Sequence, residues 1–74
     1  MTATQLVRVR DLAASGKARR IRVMARLSLA EMARDLGVSD VTLSRWERGL
    51  CRPRGDAAVA YGALLDQLLE RTTP

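Results

Sequence analysis

Gly37 sits between two short runs of helical periodicity, and this single residue does most to limit how the chain can be arranged. Before it, Leu29, Met32, Ala33 and Leu36 recur at i, i+3, i+4 and i+7, the spacing of one apolar stripe on a helix. Ser28 followed three residues later by Glu31 is a capping box, in which each side chain satisfies a backbone N–H left open at a helix start. A helix is therefore predicted to begin near Leu29, and the small Ala33 on its stripe lets a second helix approach closely. Gly37 falls where the closing turn needs a left-handed residue, a conformation that costs a residue with a Cβ about 1 kcal/mol or more. Val38 resumes the apolar stripe, Ser39 is the next N-cap candidate, and a second helix is predicted over about 40–48. Leu43 and Trp46 point inward with Val38, whereas Asp40, Val41, Ser44, Arg45 and Arg48 lie at i, i+1, i+4, i+5 and i+8 on the other side.

Two helices bent in this way form a helix-turn-helix, and the outer face of the second is small, polar and cationic. With a net charge of +5, double-stranded DNA is the first partner to consider. An α-helix fits the major groove, where Arg45 can grip guanine O6 and N7, Asp40 can accept from cytosine N4, and Val41 can touch a thymine methyl. Thr42 and Ser44 can reach a base or a phosphate. Of the 13 basic residues all but Lys17 are arginine, which suits phosphate and guanine but equally reflects the coding composition of a genome. Placement says more. Arg45, Arg48, Arg52 and Arg54 cluster across the second helix and the loop after it, and Arg26 ends the helix before the motif, so these are candidate phosphate clamps. Arg8, Arg10, Lys17, Arg19 and Arg20 read as a solvated face.

The stretch from about 18 to 68 resembles the phage repressor and Cro type of helix-turn-helix domain, the Xre family. The residues that carry the resemblance are Met32, Ala33, Leu36, Gly37, Val38, Leu43 and Trp46, followed by Glu47-Arg48-Gly49 and Pro53. It implies an all-α, five-helix, lambda-repressor-like domain, with base readout by Asp40, Val41, Thr42, Ser44 and Arg45 and phosphate contacts at Ser39 and Arg48. It also implies that Arg22 pairs with Glu47, fixing the recognition helix against the helix before the motif. Many members start the first motif helix with a phosphate-binding Gln where this chain has Leu29. Either Ser28 and Arg26 take over that contact, or Leu29 belongs to the core.

The 74 residues are read as a single domain spanning 1–74, with an N-terminal helix over about 3–14, a family core over about 17–70 and the motif at 28–48. Val7-Arg8-Val9-Arg10 also alternates like a strand, which leaves the first element open between helix and strand. Phe is absent, so the core is built from Leu, Val, Met, Ile and Ala with Trp46 as its largest anchor. A last helix is predicted over about 56–70, with Ala57, Tyr61, Leu64 and Leu68 as its core stripe. Leu65 and Leu69, with Ala58, form a neighbouring stripe that is either more core or the surface of a homodimer.

The single Cys51 excludes an internal disulfide, and the absence of His leaves no ordinary zinc set, so no metal or cofactor is expected. Ser44 and Cys51 have no histidine base, so no catalysis is expected. No apolar run approaches a membrane span and the first residues lack a signal-peptide pattern, which makes the cytoplasm the expected compartment. Taken together, these features point to a sequence-specific regulator of transcription. Repression by blocking polymerase is expected over activation, and no small-molecule effector is expected. The alternative from another class is a protein-interaction adaptor, antitoxin-like or co-regulatory, that keeps the fold and presents Leu29, Asp40 and Val41 to a protein.

Overall fold

The first element settles as a helix because its cap and its burial pattern agree. In the computed structural model, which describes residues 2–72, α1 spans Ala3–Ala14. Thr2 and Gln5 form a reciprocal capping box, with Thr2 N–H donating to Gln5 Oε1 at 2.8 Å and Gln5 N–H to Thr2 Oγ1 at 3.2 Å. Val9 and Ala13, one helical turn apart, are buried, whereas Val7 is 54% exposed. A strand would have put Val7 and Val9 on one face, so their separation excludes it.

Four further helices follow: α2 (Lys17–Met24), α3 (Leu29–Leu36), α4 (Asp40–Glu47) and α5 (Gly55–Thr72). The described residues contain five helices and no strand, an all-α fold. Ser28 caps α3 as predicted, its hydroxyl accepting from Glu31 N–H at 3.0 Å while Glu31 Oε1 accepts from Ser28 N–H at 2.9 Å. The same contacts hold the Glu31 carboxylate below its usual range, first through the Ser28 backbone and then through its side chain. Ser39 Oγ accepts from Thr42 N–H at 3.1 Å and so caps α4.

The chain turns between these helices by one repeated device. Gly37 adopts φ 73°, its N–H donates to the Arg34 carbonyl and the Val38 N–H to the Ala33 carbonyl, the paired bonds of a Schellman ending. Gly49, at φ 72°, ends α4 in the same way onto Trp46 and Arg45. The third instance closes α2, with Arg26 N–H on the Val23 carbonyl and Leu27 N–H on the Arg22 carbonyl. There the left-handed position belongs to Arg26, at φ 61°, in place of a glycine. Arg26 therefore lies past α2 rather than ending it as the sequence suggested, because the helix already unwinds after Met24.

One cluster of buried side chains joins the helices: Val9 and Ala13 of α1, Ala18 and Ile21 of α2, Met32, Ala33 and Leu36 of α3, Leu43 and Trp46 of α4, and Tyr61 and Leu65 of α5. The Trp46 and Tyr61 rings stack with centroids 5.1 Å apart and planes inclined by 29°, tying α4 to α5. Val38 and Leu29 pack partly against the cluster. The two-stripe reading of α5 requires a correction. Leu65 and Ala58 are completely buried within one copy, so Leu65 is core and not a dimer surface. The cause is that α5 packs against both α1 and α2, and one helix alone would have covered only one stripe. Leu69 is half-buried against the same core. Among the described residues no helix is long and apolar enough to cross a membrane.

Candidate nucleic-acid interface

The position of α4 is set from behind by a buried ion pair. Arg22 Nε donates to Glu47 Oε2 at 2.7 Å and Arg22 Nη2 to Glu47 Oε1 at 3.0 Å, a two-pronged contact that the planar guanidinium favours. Arg22 Nη1 also donates to the Leu27 carbonyl at 2.8 Å. One side chain on α2 thus holds both the end of α4 and the turn that leads into α3. The bonds to Glu47 raise the Arg22 pKa above its ordinary value against the opposing effect of burial, so the guanidinium stays charged. Tyr61 packs beside it with its hydroxyl buried and without a hydrogen-bond partner among the described residues. Burial pushes the phenol pKa well upward, and the Glu47 charge adds to this, so Tyr61 is neutral at neutral pH.

With Leu43, Trp46 and Glu47 turned inward, helical rotation of about 100° per residue directs Val41 and Arg45 almost straight away from the core. Asp40, Val41, Arg45 and Arg48 are exposed, and Ser44 is half-buried. Asp40, Val41, Ser44 and Arg48 line one shallow groove together with Leu29 of α3. Leu29 therefore serves two purposes, part of its side chain packing on the core and part forming the wall of this groove. The ion pairs among the described residues are Arg22–Glu47 and an exposed Arg8–Asp66 bridge of 2.8 Å, so Asp40 keeps no cationic partner, Arg45 included.

Thr42 does not join the others. It lies nearly opposite that groove around α4, and with Arg10, Trp46, Cys51, Arg52 and Arg54 it lines a second, open cleft of about 640 Å³. Its Oγ1 accepts from Ser39 Oγ at 2.9 Å, which commits the Ser39 hydroxyl proton inside the protein. Ser39 can then meet an anion through the free N–H groups at the start of α4 rather than through its hydroxyl. Ser28, Arg26, Arg52 and Arg54 are all exposed.

Arg10 departs from the sequence reading, which grouped it with solvated charges. It is half-buried, and its Nε donates to the Pro53 carbonyl at 3.0 Å. Pro53 is itself buried, and a Cβ on Gly49 would lie 3.7 Å from Ala14, so the loop after α4 is pressed onto α1 at both ends. No local pattern announces this contact, because 43 residues separate its partners. Among the described residues no group of His, Cys, Asp and Glu could hold a metal ion.

No curated protein and no solved structure matches the chain. A family model described as a helix-turn-helix domain matches residues 13–71, from the end of α1 to the last turn of α5. The match takes in the Gly37 bend, the buried Arg22–Glu47 brace and the whole outer face of α4, and the chain belongs to this helix-turn-helix domain family.

Proposed function

We propose that this protein is a sequence-specific DNA-binding regulator of transcription, a repressor of the phage-control or autoregulator kind that resembles the repressor and Cro (Xre) group. Its α4 enters the major groove, with Val41 and Arg45 at the leading edge and Asp40 and Ser44 beside them on base edges. Arg26, Ser28, Ser39, Arg48, Arg52 and Arg54 hold the flanking phosphates, and Thr42 sits at the rim of the reading face. The observation that carries this reading is the contrast between the two sides of α4. Its inner side is fixed by Leu43, Trp46 and the Arg22–Glu47 pair, while its outer side spends none of its charged side chains on partners within the protein. A rigid rod with uncommitted donors and acceptors suits a groove of fixed shape, since no reordering of α4 is required on docking.

Selection of bound duplexes from a random pool tests the assignment and reports specificity and site symmetry together. On the selected site, Arg45→Ala should weaken binding by about 1–3 kcal/mol and blur preference at one base pair. Equal losses on selected and random DNA would remove Arg45 from base reading. The adaptor alternative has support in the 52% exposure of Val41 beside Leu29 and in the unpaired Asp40, which together present an apolar and acidic contact. Salt separates the two. A DNA complex loses affinity steeply, with a log–log slope of about −0.9 per phosphate contacted, whereas an apolar protein contact does not.

A further inference from the structure

We infer that α1 is part of the DNA interface, with Arg10, Arg52, Arg54 and Thr42 forming one phosphate clamp on the flank of α4 opposite Arg48. This rests on the DNA-binding reading above and extends it to a helix of which the family match, beginning at residue 13, takes in only the last two residues. The four side chains line the same open cleft, together with Trp46 and Cys51. No carboxylate lines it; Asp11 belongs to the adjoining groove that Arg10 also borders.

The donors are uncommitted in a specific way. Arg10 spends only its Nε–H, on the Pro53 carbonyl, which leaves the four Nη–H donors of its guanidinium for an acceptor in the cleft. Thr42 Oγ1 receives a bond from Ser39 Oγ, so its own proton is available. Arg52 and Arg54 flank Pro53, the residue whose carbonyl orients Arg10, so all three side chains border one opening, with Arg10 held in place and the two exposed arginines beside it. An anion with several acceptor oxygens satisfies such a set, and phosphate geometry matches guanidinium forks.

The location selects the DNA backbone as the source of that phosphate. The major groove is about 12 Å wide and is bounded by a phosphate strand on each side of an inserted helix. One flank of α4 carries Arg48, and the structure supplies the other flank from α1 and the loop after α4. A clamp on the second flank holds α4 against both strands.

The test compares Arg10→Gln, Arg52→Gln and Arg54→Gln with the parent by fluorescence anisotropy on a random-sequence duplex over a range of chloride concentrations. Each variant should flatten the log–log salt dependence by about 0.9, and Arg10→Lys, which keeps the charge, should retain the parent slope. Arg19→Gln, an exposed change on α2, should also leave the slope unaltered. The parent chain offers a readout that needs no variant, because its single cysteine lines the cleft: saturating duplex should slow alkylation of Cys51 by iodoacetamide several-fold. A parent slope in Arg10→Gln, or Cys51 alkylated equally fast with and without saturating duplex, overturns the clamp and leaves DNA binding standing. Slowing of alkylation by inorganic phosphate but not by duplex also overturns it, in favour of a free-anion site. A parent chain that binds no duplex at any salt concentration overturns both readings.

Discussion

Replacing Arg22 by Met should destabilise the domain by about 3–5 kcal/mol, because it leaves the Glu47 carboxylate buried without a counter-charge. The Glu47 side chain is 3% exposed and that of Arg22 10%, so water cannot replace the lost partner. A chain of 74 residues has a total stability of about 4–11 kcal/mol, and the single substitution therefore consumes much or all of it. Glu47→Met should behave alike, stranding the guanidinium. The double variant Arg22→Met/Glu47→Met removes both charges and fills the space with apolar side chains of similar length. Of the three bonds Arg22 makes, only the one to the Leu27 carbonyl then leaves a partner behind, so the double variant should lie about 1 kcal/mol below the parent. Urea unfolding followed by far-ultraviolet circular dichroism measures all four corners of this cycle, with equal m-values as the check on two-state behaviour. Losses below about 1 kcal/mol for either single variant, or a double variant as unstable as the sum of the singles, would refute a coupled buried pair.

Arg26→Gly should raise stability by about 0.5–1 kcal/mol, since relief of a left-handed arginine outweighs the added freedom of the unfolded chain, yet should weaken DNA binding with a shallower salt slope; a lower urea midpoint would contradict the strain. Tyr61→Phe should keep the stack on Trp46 and gain up to about 1 kcal/mol by deleting a buried hydroxyl without a partner, and a comparable loss in urea would reveal a bond to that hydroxyl. The Glu31 carboxylate is held below its usual range in the folded state, so its contribution is complete above the unfolded value near pH ~4.3 and fades as pH falls through the folded value. Glu31→Gln should therefore flatten the loss of stability on acidification, and an unchanged acid limb in melting curves would contradict this.

The parts of the fold that were legible in the sequence are those written in short-range spacing. The Ser28–Glu31 box, the Ser39 cap and the Gly37 bend each depend on residues no more than five apart, and the limits of the two motif helices follow from them. The Arg22–Glu47 brace spans 25 residues and was reachable only through the family resemblance. Other features depend on which surfaces meet. The burial of Leu65 follows from α1 and α2 both covering α5, and a stripe count cannot tell such a helix from one with a free face. Arg26 looked like a helix terminus because arginine is a good helix former, and the left-handed turn at that position carries no glycine to announce it. Within the candidate site, the outward direction of Val41 and Arg45 and the turn of Thr42 away from Ser44 and Arg48 were readable from helical phase, while the meeting of Thr42 with Arg10 in one cleft required the packing of α1.

That separation divides affinity from discrimination in the proposed complex. Arg10 is already oriented by the Pro53 carbonyl, so little of its freedom remains to be lost when a phosphate arrives, and every duplex offers a phosphate. Arg45 is exposed and makes no side-chain hydrogen bond among the described residues, so ordering it on a base costs up to about 2 kcal/mol. Two bonds to a guanine offset that cost, whereas a base offering one acceptor does not, and there the side chain stays mobile. Loss of Arg10 should then lower binding to selected and random DNA by the same factor, leaving their ratio intact. Loss of Arg45 should lower the ratio itself, because its ordering is repaid only at the right base.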